Sequence, residues 1–212
     1  MTTPVTSLVT TPITKPLLQI IIGSTRPGRV GPSVAAWFEA HARAADTFEI
    51  EVIDLVDVAL PLLDEPNQPG EQKYTHEHTK KWSATITRAD AVVFVIPEYN
   101  SSINAATKNA LDYLYVEWNY KPLGVVSYGG ISGGLRAAQA IKQVGAALKM
   151  IVMQDTMMIP RVSSMLSEAT ATSGTAVPLR TLTSTPAMDR SAATLLSELL
   201  KLTLATAGLR GK

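Results

Sequence analysis

Three short segments of this chain carry residue types suited to phosphates and flat polar rings. The first reads Gly23-Ser24-Thr25-Arg26-Pro27-Gly28-Arg29-Val30-Gly31, between an apolar run and Pro32-Ser33. Hydroxyls and guanidiniums at a strand-to-helix turn, beside helix-start N–H groups that lack intrahelical partners, suit a phosphate monoester. Each well-aligned charged hydrogen bond there contributes about 1.5–3 kcal/mol. A solvated turn with surface arginines accounts for a lone Gly-Ser-Thr-Arg equally well. The second segment, Pro97-Glu98-Tyr99-Asn100-Ser101-Ser102, sets an aromatic edge beside amide donors and acceptors, as a heterocycle with several polar atoms requires. It also reads as a helix start capped by Ser101 or Ser102. The third, Ser127-Tyr128-Gly129-Gly130-Ile131-Ser132-Gly133-Gly134, has four glycines that permit close approach of the backbone to a ligand.

Each segment imitates other chemistry and fails a test. Gly23 and Gly28 have P-loop spacing, but Arg29-Val30 stands where Lys and then Ser or Thr are required. No Gly-x-Gly-x-x-Gly occurs there either. Gly130-Ile131-Ser132-Gly133-Gly134 matches the nucleophile elbow of hydrolases, whose acid and histidine follow the serine. Here His41, His76 and His78 all precede Ser132. His76-Glu77-His78 would not put two ligands on one helix face, and no further His or Cys completes a zinc site. The chain lacks cysteine, which excludes disulfides, thiolate nucleophiles and iron–sulfur clusters. A net charge of +1 without a basic stripe argues against a nucleic-acid partner.

Of the 212 residues, 46% are hydrophobic and 17% charged, enough for one domain with a substantial core. Leu17–Gly23, Phe48–Ile53, Ala91–Ile96, Leu123–Tyr128 and Met150–Met153 read as strands. Helices are expected from Pro32 to about Ala44, over Lys73–Arg88, through Ile103, Ala106, Thr107, Ala110, Leu111 and Leu114, over Leu135–Leu148, and over 188–207. Strand and helix alternate, so the fold class is α/β, an open parallel sheet covered on both faces. One domain is expected over 17–208, irregular at 163–186, with a disordered tail at 1–16 and a short tail at 209–212. Neither a secretory signal nor the roughly 20 apolar residues of a membrane span is present, so a soluble, cytoplasmic protein is expected. Ligands in such sheets bind beyond the carboxyl ends of the strands, where the three segments lie. Tyr113, Tyr115, Trp118 and Tyr120 form an aromatic cluster that reads as core or as a subunit interface.

Gly-Ser-Thr-Arg at 23–26, Pro-Glu-Tyr-Asn at 97–100, Lys108-Asn109-Ala110-Leu111-Asp112 and Ser-Tyr-Gly-Gly at 127–130 together resemble the NADPH-dependent FMN reductase family, which is similar to quinone, azo and chromate reductases. The resemblance covers about 17–160. It implies a flavodoxin-like three-layer sandwich with a five-stranded sheet in the order 2-1-3-4-5. It implies FMN as cofactor, with Ser24, Arg26, Arg29 and Ser33 at its phosphate. Pro97, Glu98, Tyr99 and Asn100 would line the ribityl chain and ring, and Ser127, Tyr128, Gly129 and Gly130 would meet the pyrimidine end. The implied reaction is ping-pong transfer of two electrons from NADPH or NADH to a small acceptor, without a catalytic side chain or metal. The implied assembly is a homodimer or dimer of dimers, with the third helix near the interface. Ala106-Thr107 departs from the Pro-Leu or Gly-Leu common in the family, a change expected on the acceptor side. A flavodoxin-type electron carrier without nicotinamide chemistry is the alternative, although flavodoxins are usually acidic and lack paired arginines in the phosphate loop.

Overall fold

The computed structural model describes residues 14–168 and 180–211. Its strands are β1 Leu17–Ile22, β2 Glu49–Asp54, β3 Ala91–Pro97, β4 Pro122–Tyr128, β5 Ile151–Val152 and β6 Met157–Ile159. All pair in parallel in the order β2-β1-β3-β4-β5, with β6 also on β4. Every residue of β3 and β4 is buried, the reason they read as unbroken apolar runs. The helices are α1 Gly31–Ala45, α2 Leu55–Val58, α3 Glu77–Arg88, α4 Ala105–Asp112, α5 Leu135–Ala147 and α6 Pro186–Ala205. On one face, Val34 and Phe38 of α1 join Leu195 and Leu199 of α6 over Ile20, Val93 and Val126. On the other, Trp82, Leu111 and Ile141 of α3, α4 and α5 cover Ile21, Phe94 and Val125.

Local chemistry moves several expected boundaries. The fifth strand comes in two pieces: Leu123 pairs with Val152, but Val126 pairs with Met157. The polar Gln154-Asp155-Thr156 leaves the ladder between them. Helix α3 starts at Glu77 rather than Lys73 because the Glu65 carboxylate takes the N–H groups of Thr75 (2.8 Å) and His76 (2.9 Å), which holds the preceding chain extended. Helix α4 is shorter than its apolar periodicity. Asn104, not Ser101 or Ser102, occupies its cap position, and Ile103 and Leu114 pack from outside the helix. Helix α6 starts two residues before 188, at Pro186, where the Thr185 hydroxyl accepts from Met188 N–H at 3.3 Å. The four-residue α2, absent from the expectations, is capped by Asp54.

The expected tails are partly ordered. Lys15 pairs with Asp46 at 2.6 Å, and the Pro16 carbonyl accepts from Glu49 N–H. Arg210, in a short turn of helix at Ala207–Arg210, donates to the Thr203 carbonyl at 2.9 Å. Residues 1–13, Lys212 and the 169–179 part of the irregular stretch lie outside the described residues. Tyr113 and Trp118 are fully buried within the chain, Trp118 against Trp82 and Phe94. Those two aromatics are therefore core, and only Tyr115 and Tyr120 reach the surface. Among the described residues, no helix is long and apolar enough to cross a membrane.

Candidate functional site

The three segments converge on a cleft of about 560 Å³ at the carboxyl ends of β1, β3 and β4, within the roughly 300–1,000 Å³ of small-molecule sites. The first segment supplies Ser24, Arg26, Gly28 and Arg29. Gly28 takes the turn with φ +70°, which favours glycine. Arg29 makes a two-pronged pair with Asp54 at 2.5 and 2.6 Å and donates to the Ser24 carbonyl at 2.7 Å. Its charge is balanced, and it fixes the shape of the loop. The Arg26 side chain is exposed and has no partner among the described residues. Helix α1 starts beside it with no side-chain cap and no acidic residue in its first turn. Ser33 is buried away from the cleft, where its hydroxyl accepts from Arg180 N–H at 2.9 Å.

The second segment brings Pro97, Glu98 and Tyr99 to the cleft. Tyr99 and Ser102 exchange both backbone hydrogen bonds at 3.0 Å across Asn100 and Ser101, whose φ values are 49° and 66°. That is a tight two-residue turn, and Asn tolerates its left-handed first position. Asn100 thus sits exposed at the tip, outside the cleft lining. The Tyr99 and Ser24 hydroxyls bond at 3.1 Å and join the first two segments. A second tie escaped the sequence reading: the Asn104 amide donates to the Gly23 carbonyl at 2.7 Å, and the Thr107 hydroxyl donates to Asn104 Oδ1 at 2.8 Å. A Cβ on Gly23 would lie 2.2 Å from Thr107 Oγ1, so the position requires glycine. Thr107 is fully buried behind the first loop. Of the Ala106-Thr107 pair, Thr107 therefore supports the first loop, whereas Ala106 is half-buried and lines a separate pocket with Thr25.

The third segment contributes Tyr128, Gly129 and Gly130. Ser127 points inward, its hydroxyl donating to the Gly133 carbonyl at 3.0 Å. Gly134, at φ +87°, leaves α5 without a cap of its own. Glu98 supplies one from across the cleft, accepting from the Arg136 N–H at 2.9 Å and its guanidinium at 3.2 Å. Burial pushes the Glu98 carboxyl up, but the Arg136 N–H and guanidinium outweigh it and hold the group below its ordinary range. The Tyr128 phenol is buried beside Ser24 and Tyr99, and its hydroxyl makes no hydrogen bond of good geometry among the described residues. Burial, with Tyr99 beside it, pushes the phenol pKa well up, so it stays a neutral donor.

A fourth wall, Arg161 to Ser164, was not anticipated. Its backbone is tied to the third segment, Arg161 N–H donating to the Gly130 carbonyl at 2.8 Å and Val162 N–H to the Gly129 carbonyl at 3.3 Å. The available signal was Met157-Met158-Ile159-Pro160, a short apolar run ended by proline. The decoys lie elsewhere. His41 bonds Asp189 at 3.1 Å, and His76 and His78 stack at 5.2 Å beside Asp64, so no histidine is bonded to Ser132.

A doubly wound sheet that reverses strand order between β1 and β3, with cationic, aromatic and glycine-rich loops meeting at that reversal, defines a flavodoxin-like nucleotide-binding protein. The family model for NADPH-dependent FMN reductase matches residues 16–163, and the chain belongs to that family. It is 47% identical over 139 residues to an NAD(P)H-dependent FMN reductase of Schizosaccharomyces pombe, covering 65% of this chain and 69% of that protein. It is 33% identical over 141 residues to a quinone reductase of Pseudomonas putida, covering 64% and 72%. Among solved structures it is similar in fold to FerB, a flavoenzyme NAD(P)H:(acceptor) oxidoreductase from Paracoccus denitrificans. There the TM-score is 0.68 at 16% identity, with 90% of this chain and 98% of that one covered. The protein is an FMN-dependent NAD(P)H oxidoreductase.

Proposed function

We propose that the cleft holds FMN with its phosphate at Ser24, Arg26 and the start of α1, and its ring between Tyr99 and the Tyr128–Gly130 backbone. NAD(P)H and a small acceptor such as a quinone or free flavin then use the exposed face in turn. The observation that carries this reading is the division of labour between two arginines: Arg29 is balanced by Asp54, whereas Arg26 has no side-chain partner among the described residues and lies beside an uncapped helix start. The fit extends to the buried Tyr128 hydroxyl, which makes no well-formed hydrogen bond among the described residues, and to a cleft of ligand size. Bound FMN supplies a ring that accepts hydride from NAD(P)H and returns two electrons to the acceptor. The chain's own part is to fix that ring. Arg29 shapes the phosphate loop, Asn104 clamps Gly23, and Glu98 ties the second segment to α5. No side chain is required to form a covalent bond.

A second copy of the chain is proposed to cover α4, beside which Val56, Leu62 and Leu63 expose apolar surface. The cytoplasm, which supplies NAD(P)H, is the proposed setting. Purified protein should be yellow, bind FMN at least tenfold more tightly than riboflavin, and oxidise NAD(P)H when a quinone is added. Equal affinity for the two flavins would remove the phosphate from this loop. A 22.7 kDa particle with full activity at micromolar concentration in light scattering would exclude the dimer.

A further inference from the structure

Four charged side chains line the cleft: Arg26, Arg29, Glu98 and Arg161. Two are balanced, Arg29 by Asp54 and Glu98 by Arg136. Arg26 and Arg161 have no side-chain partner among the described residues. Among the described residues, the cleft thus presents two guanidiniums without a side-chain partner, from separate walls. Arg26 belongs to the loop before α1, and Arg161 follows β6 and is tied to Gly130. One phosphate monoester, with a charge of about −1.5 to −2, is matched by Arg26 and the α1 start. Arg161 is a second cation at the exposed rim.

Resting on the reading of the cleft as an FMN site, we infer that Arg161 receives a phosphate of the incoming nicotinamide dinucleotide. Its backbone is left-handed, φ 49° and ψ 40°, a conformation that glycine or asparagine holds with less strain. The exposed Ser163 beside it adds a hydroxyl to the same rim. A guanidinium at that rim meets a ligand arriving from solvent without competing for the flavin phosphate. Both the pyrophosphate and the 2′-phosphate of NADPH offer the required chemistry, whereas NADH offers only the first.

The experiment uses FMN-loaded wild type, Arg161→Asn, which suits the left-handed position, and Arg161→Lys. Titration calorimetry with ADP-ribose and 2′-phospho-ADP-ribose reports binding without turnover, and KM for NADH and NADPH is measured in parallel. Arg161→Asn should weaken the fragments and raise KM about tenfold, the loss expected for one charged hydrogen-bonding partner, with kcat little changed. Arg161→Lys should recover most of it. A loss for 2′-phospho-ADP-ribose and NADPH alone assigns the 2′-phosphate, and an equal loss for both pairs assigns the pyrophosphate. Unchanged fragment affinity in Arg161→Asn, no fragment binding by wild type, or a loss of FMN affinity in place of fragment affinity overturns the inference. Wild type that holds no FMN and oxidises no NAD(P)H would instead overturn the reading of the cleft, and this inference with it.

Discussion

Replacing Asp54 by asparagine isolates the charge that balances Arg29. The Arg29 and Asp54 side chains are 8% and 17% exposed, so the pair is nearly withdrawn from water. The substituted side chain retains an oxygen for the Val56 N–H, which Asp54 accepts at 3.0 Å, and asparagine is a good cap, so α2 should survive. The neutral amide loses one of two charged prongs and leaves a buried guanidinium with the Ser24 carbonyl as its remaining strong acceptor. Breaking a fully buried pair costs about 3–5 kcal/mol. The rim position and the surviving bonds reduce this to about 2 kcal/mol. For a chain of this size each 1 kcal/mol shifts Tm by about 2–4 °C, so apo Asp54→Asn should melt about 4–8 °C below wild type. FMN should narrow the gap, because its phosphate offers Arg29 a replacement anion. The assay is thermal and urea unfolding of both apo-proteins in phosphate-free buffer, repeated with saturating FMN. An apo variant within about 0.5 kcal/mol of wild type would refute the role of the pair. A deficit that FMN does not narrow would refute the nearness of phosphate and Arg29.

Arg26→Ala should weaken FMN binding about tenfold while leaving riboflavin binding unchanged, both measured by fluorescence titration. Glu98→Gln should lower stability at pH 7 by about 1 kcal/mol through the weakened cap on α5. Because the folded carboxyl is held below its unfolded value, the wild-type advantage is present above about pH 4.3 and is lost as pH falls through the folded pKa; urea midpoints from pH 7 to 3 check this. Ser132→Ala should keep most NAD(P)H oxidation, and initial-rate plots should give parallel double-reciprocal lines. Intersecting lines would rule out a shared binding face.

Regular burial made the sheet legible: β3 and β4, buried throughout, could hardly be read otherwise, and the glycine, serine and arginine clusters marked the end of the sheet that holds the cleft. What stayed hidden was set by tertiary partners. Asn104 looks like an ordinary helix-start residue, yet its amide is directed at Gly23, 81 residues away in sequence. Arg29 looked like a second free cation until Asp54, at the end of β2, closed on it. Arg161 was missed because a three-residue strand after a polar interruption carries too little periodicity to be separated from a loop.

That interruption also bears on how the protein behaves in a crowded solution. An open sheet ends in two unpaired rows of N–H and C=O groups, and a long flat row recruits foreign strands. Here one rim, β2, carries Glu49 and Glu51, and the other is cut into pieces of two and three residues by Gln154-Asp155-Thr156. The first edge is continuous but charged and the second is interrupted, and both features work against edge-to-edge pairing. Between Val152 and Met157 this rim advances by two residues more than β4 does, an even number, so side-chain facing is preserved. Met153, Met157 and Ile159 all remain in the same core. Losing both extra residues would spare that core and rejoin the rim into one adhesive edge, whereas losing one would turn Met157 and Ile159 out to solvent.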